Sequence, residues 1–233
     1  MDNYDLIAQF AKEMMEKAGL DLPKSDPSKG GQAVAYVQAI ADVARQYADH
    51  VTELAKAAEA TTVTEQYSVK GDSTYRGYYH PSPVQELIVT NCSRGRLTGR
   101  PPLSGRYYRY GFDAEGKLTS VSRYDKKRLA AVEYFIRPQA SEEYGLVFEA
   151  GAGGMLLTGT KTTFENGNPT AFCSVNMPVN LNCMNQFEYQ TFSYEGERLV
   201  AVTFETGIYG MMSSTHTYHV ETDRKGMRLV EDE

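Results

Sequence analysis

The sequence predicts an α+β protein in which an N-terminal helical segment, residues 1–60, packs on a large antiparallel β-domain, residues 61–233. Apolar residues recur at helical spacing before residue 61, and alternation of apolar and polar residues begins there. Short strands separated by Gly-containing turns then continue to the end of the chain. Because the helices precede the strands instead of alternating with them, a parallel-sheet enzyme fold is disfavoured.

The helical segment is predicted to form an antiparallel hairpin of two helices joined by a Pro- and Gly-rich loop at 19–30. Residues 4–18 place five apolar side chains at helical spacing, and residues 31–60 carry an alanine-rich seam beside a bulkier one. A single helix over 31–60 would be about 45 Å long at 1.5 Å per residue. The hairpin is expected to cover the sheet, and the same seams allow a homodimer through the 31–60 helix.

The β-domain is predicted to be a meander that forms a curved sheet or an open barrel. Its first strand alternates from Val63 to Val69. The alternation and the turn residues predict further strands at 84–91, 106–112, 117–124, 129–137, 144–149, 155–164, 170–176, 186–194, 198–205, 214–221 and 226–231.

A short pattern recurs in this domain: an aromatic residue, a tight acidic or Gly turn, and an apolar strand. It is clearest in Phe112-Asp-Ala-Glu-Gly116-Lys-Leu118 and in Tyr194-Glu-Gly196-Glu-Arg-Leu199, where Gly supplies the positive φ of a hairpin turn. The hairpins at 110–124 and 194–204 resemble the YD repeats of Rhs-type proteins. The resemblance implies β-hairpins in series; long arrays of such repeats build a shell, for which the units here are too few.

Motifs for catalysis and for cofactor or metal binding are not found. In the Gly-rich stretch 151–161, Lys161 follows Thr160, which is the wrong order for a phosphate loop, and a strand follows where a helix is needed. No Gly-x-Ser-x-Gly elbow occurs. His216 and His219 are three residues apart in a predicted strand, so they point to opposite faces and cannot share a metal ion. The sequence therefore assigns no catalytic residue, no cofactor and no metal site.

Charge is unevenly distributed along the chain. The region from Arg94 to Arg128 contains ten basic and three acidic residues, whereas the whole chain has a net charge of −6. Arginines beside tyrosines can bind phosphates and bases, but the acidic remainder would repel a nucleic acid. A solvated or structural role, a protein contact or a small anionic ligand is therefore favoured over nucleic acid.

Two functions from different classes follow from these observations. The leading hypothesis is a non-enzymatic cytoplasmic protein that binds a partner protein, as an immunity or accessory factor of a bacterial toxin system would. The alternative is a small-ligand-binding or hydrolytic open β-barrel with a pocket lined by Tyr, Arg and His. A structural domain of a longer surface protein is a third hypothesis. The candidate binding residues are Arg94, Arg96, Arg100, Arg106, Tyr108, Arg109, His216 and His219.

The sequence also predicts the cellular location of the protein, and one structural feature would decide between the two leading hypotheses. The N-terminus lacks a basic region followed by an apolar one, and no stretch approaches the ~18 apolar residues of a membrane span, so a cytoplasmic protein without membrane contact is expected. A deep pocket in which Arg106, Arg109 and the two histidines converge would favour the ligand, and a flat or filled sheet would favour the partner protein.

Overall fold

The computed structural model describes residues 31–72, 76–88, 93–151, 154–177, 186–208, 212–223 and 226–231. The predicted helix at 4–18 and the loop at 19–30 lie outside the described residues, so its pairing with a second helix stays a prediction. The described residues form one large antiparallel sheet with two helices on one of its faces.

The sheet is a meander of twelve strands, and it is not closed. Each strand pairs with the next one along the chain, except that β2 lies outside β1 at one edge; β12 forms the other edge. The predicted antiparallel meander is therefore confirmed. The strands are β1 (Thr64–Val69), β2 (Arg96–Thr98), β3 (Arg106–Phe112), β4 (Leu118–Asp125), β5 (Arg128–Gln139), β6 (Glu142–Glu149), β7 (Leu156–Glu165), β8 (Asn168–Asn176), β9 (Gln186–Glu195), β10 (Arg198–Ile208), β11 (Met212–Asp223) and β12 (Gly226–Glu231).

Two helices pack on one side of the sheet, which we call the helix face. Helix α1 (Gln32–Tyr47) packs on β6, β7 and β8, and α2 (Val51–Thr61) packs on β4 and β5. The prediction of one continuous helix over 31–60 is wrong, because the chain turns between the two helices. A straight helix of that length would diverge from a twisted sheet, whereas two shorter helices follow it.

Helix α1 buries its small and β-branched residues against the chain's own sheet. Ala33, Val37, Ile40 and Ala44 are at most 2% exposed. Part of the apolar surface through which the sequence allows a homodimer is therefore covered by the chain's own sheet, and the homodimer itself stays a prediction. The partners of α1 are side chains from β6, β8 and β9, namely Tyr144, Leu146, Phe148, Cys173, Val175, Phe187 and Tyr189. No helix in the described part of the chain is both long and apolar enough to cross a bilayer.

The opposite side, which we call the cover face, is crossed by residues 76–88, named here the cover segment. The strand predicted at 84–91 is wrong, since Gln85–Ile88 form a short helix, α3, within this segment. Val84 is fully buried and packs with Phe172, Phe192 and Val202 of the sheet. The apolar run that predicted a strand therefore packs on top of the sheet.

Strand β2 is not among the strands that the sequence predicts. Arg96–Thr98 pair with β1, Tyr67 opposite Thr98 and Val69 opposite Arg96. This edge pairing depends on a strand about thirty residues earlier, so nothing in the local sequence indicates it.

Candidate functional site

The eight candidate binding residues lie in two groups on distant parts of the sheet. Arg94, Arg96 and Arg100 lie in or beside β2, and Arg106, Tyr108 and Arg109 belong to β3. His216 and His219 belong to β11, and seven strands lie between β3 and β11. The eight residues therefore do not converge on one pocket.

Three of the five arginines contact carboxylates of the chain itself. Nε of Arg94 lies 3.4 Å from Glu86, and Nε of Arg106 lies 2.9 Å from Asp125. Nη2 of Arg109 lies 3.1 Å from Glu65. The ion pair of Arg94 holds the end of the cover segment near the start of β2. The positive charge of these three candidate arginines is thus neutralised within the chain. The other two, Arg96 and Arg100, are exposed.

Tyr108 and the two histidines have different surroundings. Tyr108 is 2% exposed, its hydroxyl has no hydrogen-bond partner among the described residues, and burial raises its pKa to about 12. Nδ1 of His216 lies 2.6 Å from a Glu231 carboxylate oxygen, so this contact links β11 to the end of β12. His219 lies on the opposite face from His216, as predicted. Among the described residues, no group of three potential metal ligands comes together.

A polar pocket of about 250 Å³ lies on the cover face, between the cover segment and strands β4 to β9; we call it the central pocket. None of the eight candidate residues lines it. Its neutral lining includes Gln85, Thr158, Thr160, Phe172, Ser174 and Asn176. Its charged or titratable lining consists of Arg76, His80, Arg123, Glu133 and Glu188.

Arg76 enters the pocket at the start of the cover segment. Its φ of +48° is the left-handed conformation, and its backbone carbonyl accepts a hydrogen bond of 2.8 Å from the hydroxyl of Tyr110. Nη2 lies 2.7 Å from Oε1 of Glu133 and donates a 3.0 Å hydrogen bond to Oγ1 of Thr160. The guanidinium also lies 4.9 Å from the ring centre of Phe135. These contacts fix a buried cation that would otherwise be costly to desolvate.

Gly145 makes room for this buried ion pair. A Cβ at this position would lie 2.2 Å from Oε1 of Glu133, 2.6 Å from Oγ1 of Thr160 and 3.1 Å from Nη2 of Arg76. The absent side chain on β6 thus allows groups from β5, β7 and the cover segment to meet. Burial raises the pKa of Glu133, an effect that Arg76 opposes.

His80 follows Arg76 in the cover segment and has a fixed tautomer when neutral. Its Nδ1 accepts a 2.9 Å hydrogen bond from the backbone N–H of Ser82, so the proton of the neutral ring is on Nε2. Burial and the Arg76 charge lower the pKa of His80 well below its usual range. The hydroxyl of Ser82 is fully buried and donates to Gln190 at 2.5 Å. Ser82 and His80 therefore do not form a nucleophile–base pair.

Among the described residues, Glu188 has no ion-pair partner and Arg123 has only a distant one; both line the pocket. Glu188 accepts a hydrogen bond from Gln190, and burial raises its pKa. Nε of Arg123 is buried, has no hydrogen-bond partner among the described residues, and lies 3.9 Å from a carboxylate oxygen of Asp125. The Glu188 carboxylate and the Arg123 guanidinium can therefore each form an ion pair with a ligand.

The pocket continues along a row of polar side chains on neighbouring strands. Thr160, Ser174, Glu188, Thr206 and Ser214 are successive cross-strand partners from β7 to β11. A wider cleft of about 510 Å³ lies over the far part of this row and shares Ser174, Asn176 and Glu188 with the central pocket. A polar ligand thus has access to the pocket from the β11 side.

The two pocket carboxylates come from strands that are far apart in the sheet. Glu133 lies on β5 and Glu188 on β9, so their backbones are about 19 Å apart if strands are spaced 4.8 Å. The arrangement offers hydrogen-bond donors and acceptors at fixed positions, which is suited to binding.

Sequence patterns missed this pocket because its charged residues come from four strands or segments far apart in the chain. Each charge looks like an ordinary solvated residue in its own strand. The only local signal is the polar interruption that Glu133 and Glu188 make in strands whose neighbours are apolar.

Comparisons with known proteins give no relative: no family model matches the chain, and no curated protein or solved structure matches it either.

Proposed function

We propose that this protein binds a small polar ligand in the central pocket. The observation that carries the proposal is that four charged side chains from separate elements face one cavity: Arg76, Arg123, Glu133 and Glu188. Two of the four, Arg76 and Glu133, are buried, which costs free energy, and buried charges concentrate where a ligand is bound. An open sheet can form such a site here because the cover segment supplies the second wall.

The contacts around Arg76 support a preformed site. The arginine is held by Glu133, Thr160 and Phe135, and its carbonyl is held by Tyr110. Ser82 and Gln85 of the cover segment both hydrogen-bond to Gln190 of the sheet. A site whose walls are fixed in this way loses little conformational entropy when a ligand binds.

The test is a thermal-shift screen of small polar compounds against the wild type and a pocket-filling variant, Ser174→Leu. Compounds that bind the central pocket are expected to raise the Tm of the wild type and to leave that of the variant unchanged. Thr215→Leu, on the exposed part of β11, is the matched control and should respond as the wild type does. The proposal is wrong if no compound raises the Tm, or if Ser174→Leu responds equally.

A second candidate function, recognition of a partner protein, is favoured by the incomplete edge of β11. Strand β12 pairs with β11 only from Tyr218 to Asp223. Residues 213–217 have β10 on one side and no strand among the described residues on the other. Free backbone N–H and C=O groups at an edge can accept a strand from another protein.

Proline substitutions at the two neighbouring positions Thr215 and His216 test this candidate. Backbone N–H groups alternate between the two sides of a strand, so only one of the two prolines breaks a bond to β10, and the Tm identifies it. The other variant should stay folded and lose a specific protein that the wild type captures from the host lysate. A proline in β2 that leaves the protein folded is the control. If the folded β11 variant and this control capture the protein equally well, the β11 edge is not the binding surface.

The narrower role, an immunity or accessory factor of a bacterial toxin system in the cytoplasm, stays part of this second proposal. It predicts that the captured protein is a toxin whose activity falls on binding.

A further inference from the structure

We infer that the ligand of the central pocket is a small zwitterion whose ammonium and carboxylate groups are several atoms apart, as in an ω-amino acid or a dipeptide. This inference rests on the proposed ligand-binding function and adds the chemical class. It follows from how the four charges of the pocket are paired.

Arg76 and Glu133 already neutralise each other. Their closest atoms are 2.7 Å apart, and Glu143 adds a second carboxylate 3.9 Å from Nη1 of Arg76. Both side chains of the first pair are at most 8% exposed. A ligand gains little by contacting either charge, since it would have to compete with a buried partner.

Arg123 has no comparable partner. Its nearest carboxylate, Asp125, is 3.9 Å away, and the same carboxylate receives a 2.9 Å hydrogen bond from Nε of Arg106. The Nε–H of Arg123 is buried without an acceptor among the described residues. A ligand carboxylate or carboxamide could accept from this guanidinium, and a carboxylate would also supply the missing negative charge.

Glu188 is the complementary case at the other side of the pocket. Its hydrogen bonds come from the neutral amides of Gln190 and Gln85. No cationic side chain among the described residues lies within ion-pair distance of Glu188, and His80, which lines the same pocket, is kept neutral by burial and by Arg76. A ligand ammonium would supply the charge that the chain does not provide.

The positions of Arg123 and Glu188 set the distance between the ligand's charges. They project from β4 and β9, whose backbones are about 24 Å apart at 4.8 Å per strand. Both side chains line one cavity of about 250 Å³, so a ligand that extends along this cavity can contact both of them. An α-amino acid, with its charges on neighbouring atoms, can reach only one of them, whereas a longer zwitterion can reach both. A polyol or a simple anion would leave at least one charge uncompensated.

The test measures binding of 4-aminobutyrate, 6-aminohexanoate and glycylglycine by isothermal titration calorimetry. Glycine, the N-acetyl and C-terminal amide forms of each probe, acetate and glucose are the comparison ligands. At least one zwitterionic probe is expected to bind about tenfold more tightly than its blocked forms, and tighter than glycine. Tenfold corresponds to about 1.4 kcal/mol, the scale of one charge-assisted contact.

Two variants assign the contacts. Arg123→Gln should abolish the preference for the free carboxylate over the amide while keeping the preference for the free ammonium. Glu188→Gln should do the reverse. Arg198→Gln, which changes an exposed arginine that does not line the pocket, should bind as the wild type does. If a variant does not fold, the wild type alone still tests the inference. A contact at both ends of the ligand requires one optimal probe length, so an affinity that does not depend on probe length would contradict it.

The outcomes separate the inference from the function on which it rests. If acetate or glucose binds the wild type but not Ser174→Leu, and no zwitterion does, the ligand class is wrong and the pocket function stands. If zwitterions bind with the same affinity as their blocked forms, the inference is also wrong. If no compound binds, in this set or in the wider screen, the proposed function fails with it.

Discussion

Arg76 connects the cover segment to the sheet at the central pocket. Its left-handed backbone directs the cover segment across the sheet, and its side chain reaches Glu133 on β5 and Thr160 on β7. A non-glycine residue in this conformation costs about 1–2 kcal/mol. The ion pair and the Tyr110 hydrogen bond compensate for that strain, which is a common arrangement near functional sites.

Removing the arginine should therefore destabilise the protein more than loss of a surface ion pair would. Arg76→Met leaves Glu133 buried without its counter-charge, and we expect the free energy of unfolding to fall by about 3–5 kcal/mol. Urea denaturation measures the change. Adding Glu133→Gln should recover part of the loss, because the buried charge is removed.

The matched control is the exposed pair of Arg198 and Glu195, whose side chains are 69% and 68% exposed. Arg198→Met should change the free energy of unfolding by less than about 1 kcal/mol. An effect of Arg76→Met as small as that of the control would show that the buried pair contributes nothing to stability.

His80 makes stability depend on pH in one direction. Burial lowers the pKa of His80 in the folded state below its unfolded value of about 6.5. Above that pH both states are neutral and the group contributes nothing. Below it, the unfolded state binds a proton that the folded state does not, so stability falls as the pH falls, by at most about 1.4 kcal/mol per pH unit.

The variant His80→Asn tests this pH dependence. Asn can accept the Ser82 N–H but does not titrate. Between pH 7.5 and 5.0 the wild type should lose up to about 2 kcal/mol more of its free energy of unfolding than the variant does. Urea denaturation at both pH values gives the comparison. Because Glu133 and Glu188 are present in both proteins, their contributions cancel, and parallel losses would show that His80 has an ordinary pKa.

At the scale of elements, the close contact between α1 and β7 positions the helix on the sheet. Gly159 of β7 lies under Ile40, and a Cβ there would be 2.4 Å from Cγ2 of Ile40. Helix and strand approach this closely because a glycine on the strand faces a β-branched residue on the helix. The contact lies on the opposite side of the sheet from the central pocket.

Gly159→Ala should displace α1 and destabilise the protein by about 1–3 kcal/mol, the usual cost of overpacking. Gly99→Ala is the control, because a Cβ there would meet no atom within 4 Å. When Ile40→Ala is combined with Gly159→Ala, the losses of stability should not add, because Ile40→Ala removes the methyl group with which the new Cβ collides. Thermal denaturation of the four proteins measures this. Simple additivity would mean that the two residues do not touch.

Element prediction from the sequence succeeded where the elements are set locally. The turns at Gly116 and Gly196 have positive φ, as their hairpins require, and the strands on either side were predicted within a few residues. Helix α3 and strand β2 were missed, because their conformations depend on contacts with distant strands: the packing of Val84 on the sheet and the pairing of Arg96–Thr98 with β1.

At the scale of the whole molecule, the described strands form a single sheet in which burial decreases toward the β12 edge. Leu146, Phe148, Cys173 and Val175 of β6 and β8 are at most 1% exposed. All residues of β12 are exposed except one that is partly buried. A meander has no closure to protect its last strands, so local opening should begin there.

Amide hydrogen exchange followed by mass spectrometry should reveal this gradient. We expect peptides covering β12 to exchange at least about tenfold faster than those covering β6, β7 and β8, because opening the edge exposes few apolar side chains. Peptides of β2, the short strand at the other edge, serve as a second fast-exchanging reference. Uniform protection across the sheet would contradict this description.

The sequence by itself determined the order of helices before strands, the antiparallel meander and most of its turns, because these depend on alternation and on the backbone conformations of nearby residues. The tertiary structure alone decided which charges are buried and what they face. Arg76, Arg123, Glu133 and Glu188 are far apart in the chain, and only the cover segment crossing the sheet brings them to one cavity. Burial and electrostatics act between neighbours in space, and in this protein those neighbours come from different strands.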